Sequence, residues 1–169
     1  MSCLCEPAVP MAFQIEPASS SGDLAATASL FQAYAASIGI DLSFQDFDAE
    51  LAGLPGKYAP PSGAIFLARS IGGEAIGCVA LRPLDTPGCS EMKRLYVSPS
   101  ARSAGLGRAL VERIVAEAAR LGYADMRLDT LPTMTQALAL YEDAGFVRIP
   151  PYYDTPVAGT VFLALKLRR

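Results

Sequence analysis

No histidine occurs among the 169 residues of this chain. Its absence removes the commonest general base at neutral pH and excludes every Ser-His-Asp or Cys-His triad. Acid–base chemistry must then rest on Glu, Asp, Tyr, Cys or Lys. Metal ligation is thinned by the same absence. Cys3, Cys5, Cys78 and Cys89 form no CxxC pair, and without imidazole partners they predict no metal site. Although 51% of the residues are hydrophobic, no apolar run approaches the ~18–20 residues that cross a bilayer, so no membrane partner is expected. The segment Met1-Ser2-Cys3-Leu4-Cys5-Glu6-Pro7 has neither the basic nor the apolar region of a signal peptide, which makes the cytoplasm the expected location.

Positive charge is scarce at one end. Up to Pro60, Lys57 is the one cation against Glu6, Glu16, Asp23, Asp41, Asp46, Asp48 and Glu50, a local charge of −6, whereas the remainder carries 13 basic and 10 acidic residues, or +3. The asymmetry suits a protein that holds an anion in one place and a cation in another. With a net charge of −3 and no basic stripe, nucleic acid is not an expected partner. The length fits one α/β domain large enough to bury a core, with residues 1–10 as a flexible tail and 11–169 as the domain. No internal repeat or low-complexity segment is present.

In order along the chain, Met11–Glu16 alternates as a first strand, and Ser19–Ser21 with Asp23 offers N-caps for a helix running to about Ser37. Leu24, Thr27, Ala28, Leu30, Phe31, Tyr34 and Ile38 recur at helical spacing on its core face, and Gly39 fits a C′ stop. Ser43 or Asp46 begins a shorter helix carrying Phe44, Phe47 and Leu51, and Leu54–Gly63 reads as a loop. Ala64–Ser70 and Glu74–Arg82 form a hairpin around Ile71-Gly72-Gly73, followed by the loop Leu84–Gly88 and a strand over Cys89–Val97. A helix from Gly105 to about Leu121 places Leu106, Leu110, Ile114 and Ala118 on one face and closes at Gly122. Ala124–Thr130 is a strand, Thr133–Ala144 a helix ended by Gly145, and Phe146–Ile149 and Thr160–Leu167 are closing strands.

The chain is organised around Glu91–Gly107, EMKRLYVSPSARSAGLG. A strand breaks at Ser98-Pro99 and enters a long amphipathic helix through Arg102-x-x-Gly105-x-Gly107. Such a turn suits a phosphate: glycines let backbone N–H groups approach, the helix N-terminus adds about half a positive charge, and Arg102 can fork onto phosphate oxygens. The plainer reading, two glycines capping a tight turn, stands beside it. A Rossmann fingerprint wants Gly or Ala where this chain has Leu110, and the P-loop's Gly-Lys-Ser/Thr is missing.

A second motif, Leu140-Tyr141-Glu142-x-x-Gly145-Phe146, follows in the same order of elements. With both motifs, the chain after Met11 resembles the GCN5-related N-acetyltransferase (GNAT) superfamily. The resemblance implies a mixed, mostly antiparallel central sheet flanked by helices and splayed between strands 4 and 5, with acyl-CoA in the opening. Carried over, the backbones of Leu95, Tyr96 and Val97 would bond the pantetheine arm and acyl carbonyl, with the Val97 amide as an oxyanion donor. Arg102, Ser103, Ala104, Gly105, Leu106, Gly107 and Arg108 would cradle the pyrophosphate. The superfamily often has a second basic residue where this chain has Ala104, and an asparagine where it has Met134. Tyr141 matches the general acid for the CoA thiolate, and Glu91 the carboxylate base of the histone-modifying branch, with an ion pair to Arg127 or Lys93 as the alternative for Glu91. Asp129 is a substrate anchor or an ion-pair partner, and Tyr152 and Tyr153 wall the acceptor site or simply pack. The implied activity is acetyl transfer from acetyl-CoA, as co-substrate, to a primary amine of a small molecule or peptide, by direct attack in a ternary complex. No metal is needed, and a homodimer is allowed. The same fold without an acid or base would be a CoA-binding sensor or assembly module, but Tyr141 and Glu91 are both present.

Overall fold

Among the described residues, apolar-rich runs build seven strands: Phe13–Pro17 (β1), Ala64–Ser70 (β2), Ala75–Pro83 (β3), Cys89–Val97 (β4), Asp125–Thr130 (β5), Val147–Ile149 (β6) and Val161–Lys166 (β7). The α-helices are Ser21–Ile38 (α1), Phe47–Ala52 (α2), Leu106–Arg120 (α3) and Thr135–Asp143 (α4). This computed structural model describes residues 12–102 and 104–168. The expected tail with Cys3 and Cys5, the strand start at Met11, and the predicted cofactor contact Ser103 lie outside the described residues.

The strands form one sheet in the order β1-β2-β3-β4-β5-β7-β6. Every neighbouring pair is antiparallel except β4 and β5, which run parallel. That parallel pair meets only at Cys89 with Asp125, Ser90 with Met126 and Glu91 with Arg127. Beyond Glu91 the two strands diverge, so the mixed sheet splays where it was expected to.

Local chemistry sets the helix ends. Ser20 caps α1 by accepting from Asp23 N at 3.1 Å, while Asp23 Oδ2 accepts from the amides of Ser19 and Ser20 at 3.0 and 3.1 Å. Arg69 Nη2 donates to the other oxygen at 2.9 Å. The helix stops at Gly39 in the left-handed conformation. The second predicted helix is divided: Ser43–Gln45 is a 3-10 turn, and Asp46, itself left-handed, precedes α2 without capping it through its side chain.

Two apolar cores flank the sheet. One joins β2, β3, β4 and β5 to α3 through Val79, Leu81, Met92, Leu106, Leu110, Ile114 and Leu128. The other packs Phe31, Leu42, Phe47 and Tyr58 against Ile65, Leu67, Cys78 and Ala80. Gly77 on β3 lets α3 settle closely: a Cβ there would lie 3.2 Å from both Leu106 Cδ2 and Leu110 Cδ1 and 3.0 Å from the Tyr96 carbonyl.

A bulge interrupts β4. Cys78 faces Tyr96 but Ala80 faces Lys93, so β4 holds one residue more than β3 across the same span. Arg94 carries the irregularity with φ 58°. The extra residue reverses the alternation of the strand. Lys93 and the next residue, Arg94, both reach Gln45 on the α2 side. Leu95 and Val97 consequently pack with the α3 core, and Tyr96 with the α1 core.

Candidate active site

Where β4 and β5 part, a cleft of about 520 Å³ opens, lined by Leu95, Tyr96, Val97 and Arg102 on one side and by Met134, Gln136 and Leu140 on the other. Ser98 N donates to Ile76 O at 2.8 Å and Tyr96 opposes Cys78. The alternation of an antiparallel ladder therefore turns the Tyr96 backbone toward β3 and the Val97 backbone toward the gap. Of the three strand residues expected to meet an acyl chain, Val97 thus faces the gap through the main chain, and its carbonyl accepts from Arg102 Nε at 3.1 Å.

The glycine turn has the expected form with two different uses of glycine. Gly105 is the N-cap of α3 at φ 76°, and an added Cβ would touch nothing within 4 Å, so its requirement is conformational. At Gly107 a Cβ would approach Leu140 Cδ2 to 3.3 Å and Val97 Cγ2 to 3.9 Å, so that position leaves room for two side chains that line the cleft. Leu106 is buried beneath the turn and contributes through its backbone. Arg108 departs from the expectation. Its side chain does not line the cleft but stands in an outer groove between α3 and α4, 3.6 Å from Asp143. Ala104 adds no charge, and Met134 lines the cleft where the superfamily often has an asparagine. The set of a left-handed N-cap glycine, a helix N-terminus, Arg102 and an unpaired strand segment fits a pyrophosphate joined to a peptide-like arm.

Deeper in the splay, Tyr34, Gln45, Lys93, Arg94, Leu95, Asp129, Thr130, Met134 and Tyr141 enclose a small polar cavity of about 30 Å³, room for about one water. Tyr141 comes from α4 and rests edge-on against Phe146, ring centroids 5.9 Å apart. Burial, then the nearby Tyr34 and Asp129, push its hydroxyl pKa above the ordinary phenol value. It therefore keeps its proton through the neutral range. Asp129, on β5, accepts from Tyr153 Oη at 2.9 Å and lies 3.5 Å from Lys93 Nζ.

Glu91 is 1% exposed. Its Oε1 accepts from Arg82 Nε at 2.8 Å and lies 3.8 Å from Lys93 Nζ, and its Oε2 accepts from Tyr152 Oη at 2.6 Å. The expected pairing with Lys93 is present. That with Arg127 is corrected, because Arg127 turns to Asp125 at 3.4 Å, leaving Glu91 to Arg82, its ladder partner on β3. Tyr152 and Tyr153 stack edge-on with each other and with Phe162, so the loop after β6 covers both carboxylates.

Arg94, which no motif in the sequence marks, also lines this cavity. Arg94 forms a two-pronged pair with Glu50 (Nε to Oε2 2.9 Å, Nη2 to Oε1 3.2 Å), donates to Gln45 at 3.0 Å and lies over the rings of Tyr34 and Phe47. Tyr58 Oη donates to Glu50 at 2.8 Å. A signal was available: Met92, Leu95 and Val97 are apolar at a spacing of three then two, which a regular strand cannot put on one face.

The family model described as the acetyltransferase (GNAT) family matches residues 18–146. The chain belongs to this family. A Schizosaccharomyces pombe protein described as an uncharacterized N-acetyltransferase is 45% identical over 140 residues, covering 83% of this chain and 86% of that relative. A Dictyostelium discoideum protein of the same description is 30% identical, over 82% and 92%. The GNAT fold is also that of a Staphylococcus aureus acetyltransferase, TM-score 0.77 at 19% identity over 93% of this chain and all of the other. A Salmonella typhimurium protein solved with its cofactor acetyl-CoA aligns with TM-score 0.69 at 20% identity over 94% and 95%. As a GNAT member with such relatives, the chain is an N-acetyltransferase.

Proposed function

We propose that this N-acetyltransferase moves the acetyl group of acetyl-CoA to a primary amine. The reading is carried by the cleft where β4 and β5 part, which runs from Arg102 past Val97 to the neighbourhood of the cavity that holds Tyr141. Acetyl-CoA would supply an acyl group already activated as a thioester. Arg102 and the amides of the α3 N-terminus hold its pyrophosphate, and the Val97 N–H stands ready for the acyl oxygen. Tyr141 Oη holds a proton for the departing sulfur, which suits a phenol kept neutral by burial.

The base is assigned to Asp129. It is the carboxylate that shares the cavity with Tyr141, and it can attract an ammonium and accept its proton at the oxygen now facing Lys93. Glu91 lines none of that cavity and is held by Arg82, Lys93 and Tyr152. Its part is to fix Lys93 and Tyr152, and through them the wall of the acceptor site. Positioning and preorganised donors supply most of the acceleration in such a scheme.

Thermal melting with acetyl-CoA, NAD and ATP tests the cofactor, since a ligand bound by the folded state raises the melting temperature by mass action. Acetyl-CoA should raise it and the nucleotides should not match it. A panel of amines followed by release of the CoA thiol tests the transfer. An unmoved melting curve with acetyl-CoA overturns the reading, and binding without turnover on any amine would make the protein a CoA-binding module.

A further inference from the structure

Arg94 is the residue on which the acyl-binding end of β4 turns. Its φ of 58° lies in the left-handed region, where a side chain with a Cβ is strained, yet the sequence places no glycine there. The extra residue it introduces decides which side chains of the strand face which core, because a shift of one residue exchanges the two faces. With the bulge, Leu95 and Val97 join the α3 core and the Val97 backbone faces the cleft. Without it, Val97 and Tyr96 would exchange faces.

What holds this conformation lies outside the strand. Arg94 is 4% exposed, and its guanidinium is gripped by Glu50 of α2 and by Gln45 just before α2, with Tyr34 of α1 and Phe47 of α2 against its faces. Glu50 is in turn fixed by Tyr58. Arg94 Nε, Nη1 and Nη2 are all engaged by residues 45 and 50, and its own carbonyl accepts from Cys78 Sγ at 3.3 Å.

We propose that Arg94 is a positioning residue for acyl transfer, its left-handed backbone held by the Glu50–Gln45 grip so that α2 sets the register of the cofactor-binding segment Leu95–Val97. The inference rests on the proposed use of acetyl-CoA for its functional readout, but the register itself can be read without any ligand. It also gives a reason for a strained non-glycine at this point: the strain ties the cofactor strand to the helices on the other face of the sheet. A glycine would adopt the same φ freely and would need no grip.

That difference is the test. Glu50→Gln, Arg94→Gly and the double variant are compared with the parent for acetyl-CoA affinity by calorimetry and for amide exchange of residues 92–97 in the ligand-free protein. Glu50→Gln removes the charge that grips Arg94 and should weaken acetyl-CoA binding by about tenfold, the size of the left-handed penalty for a residue with a Cβ, with faster exchange over residues 94–97. Arg94→Gly alone strands the Glu50 carboxylate and serves as the control for that loss, whereas in the double variant, where glycine holds the φ and no carboxylate is left unpaired, exchange and affinity should recover toward the parent. Parental exchange and affinity in a folded Glu50→Gln protein, or a double variant no better than Glu50→Gln alone, overturn the proposal. If the parent fails to bind acetyl-CoA, the functional reading falls, and the exchange pattern alone then decides whether the grip sets the register.

Discussion

The hydroxyl of Tyr153 donates to Oδ2 of Asp129 across 2.9 Å. A residue of the loop between β6 and β7 thereby orients the carboxylate that shares a cavity with Tyr141. Asp129→Asn should lower kcat by the ~10²–10⁴-fold typical of a lost general base. Glu91→Gln should lose less, through a displaced Lys93 and Tyr152, with KM for the amine raised as well. Steady-state kinetics of both variants with one amine acceptor decide the matter, and a kcat loss confined to Glu91→Gln would return the base to Glu91.

Tyr141→Phe removes the hydroxyl and leaves the ring against Phe146. The expected loss is in kcat, with acetyl-CoA affinity nearly unchanged, because a proton for the leaving sulfur is needed in the transition state and not in the ground state. The raised pKa adds a sign: no decline of rate from ionisation of this phenol should set in before about pH 10, the ordinary tyrosine value. Steady-state rates across pH and calorimetric acetyl-CoA binding check both parts.

The two turn glycines should separate. Gly105→Ala meets no neighbour but carries a Cβ into a left-handed N-cap, so it should cost about 1–2 kcal/mol of stability. Gly107→Val has an ordinary helical position but fills the space beside Leu140 and Val97, and should weaken acetyl-CoA binding more than it lowers the melting temperature. Denaturant titration beside binding isotherms would show the contrast, and normal acetyl-CoA affinity in Gly107→Val would reduce that glycine to a turn device.

Asp23 carries a pH signature in the fold itself. The amides of Ser19 and Ser20, then Arg69, hold its carboxyl well below the ordinary range. Because the folded pKa is depressed, its stabilisation is complete above the ordinary carboxylate pKa of about 3.9 and is lost as the pH falls below it. Asp23→Ala should cost about 1 kcal/mol at neutral pH, the usual worth of a helix cap, and the difference from the parent should shrink below about pH 4. Melting curves from neutral to acid pH give the comparison.

Much of this arrangement was legible because it is local. The boundaries of β2 and β4 coincide with the predicted ones, since apolar alternation, glycine punctuation and capping residues are read within a few positions. The capping box at Ser20 and the left-handed stop at Gly39 were likewise written in neighbouring residues. What escaped depends on residues distant in sequence. Arg94 and Glu50 are paired across 44 positions and Tyr152 and Glu91 across 61, and no spacing rule brings them together. The charge asymmetry illustrates the same limit. Two of the carboxylates before Pro60, Asp23 and Glu50, meet Arg69 and Arg94 from the cation-bearing remainder, so part of what looked like separate ion sites is internal neutralisation. Arg108, adjacent to the glycine turn in sequence, turns away along the helix surface.

The short contact between β4 and β5 has a mechanical consequence. Strands β1 to β4 form one leaf and β5, β7 and β6 another, bound at one end by a spine of Cys89–Asp125, Ser90–Met126 and Glu91–Arg127. The leaves are joined at Glu91 and unjoined at Val97, so they are least tied to one another at the open end. A ligand that bonded to the free edge of β4 and packed against α4 would act as a splint between the leaves.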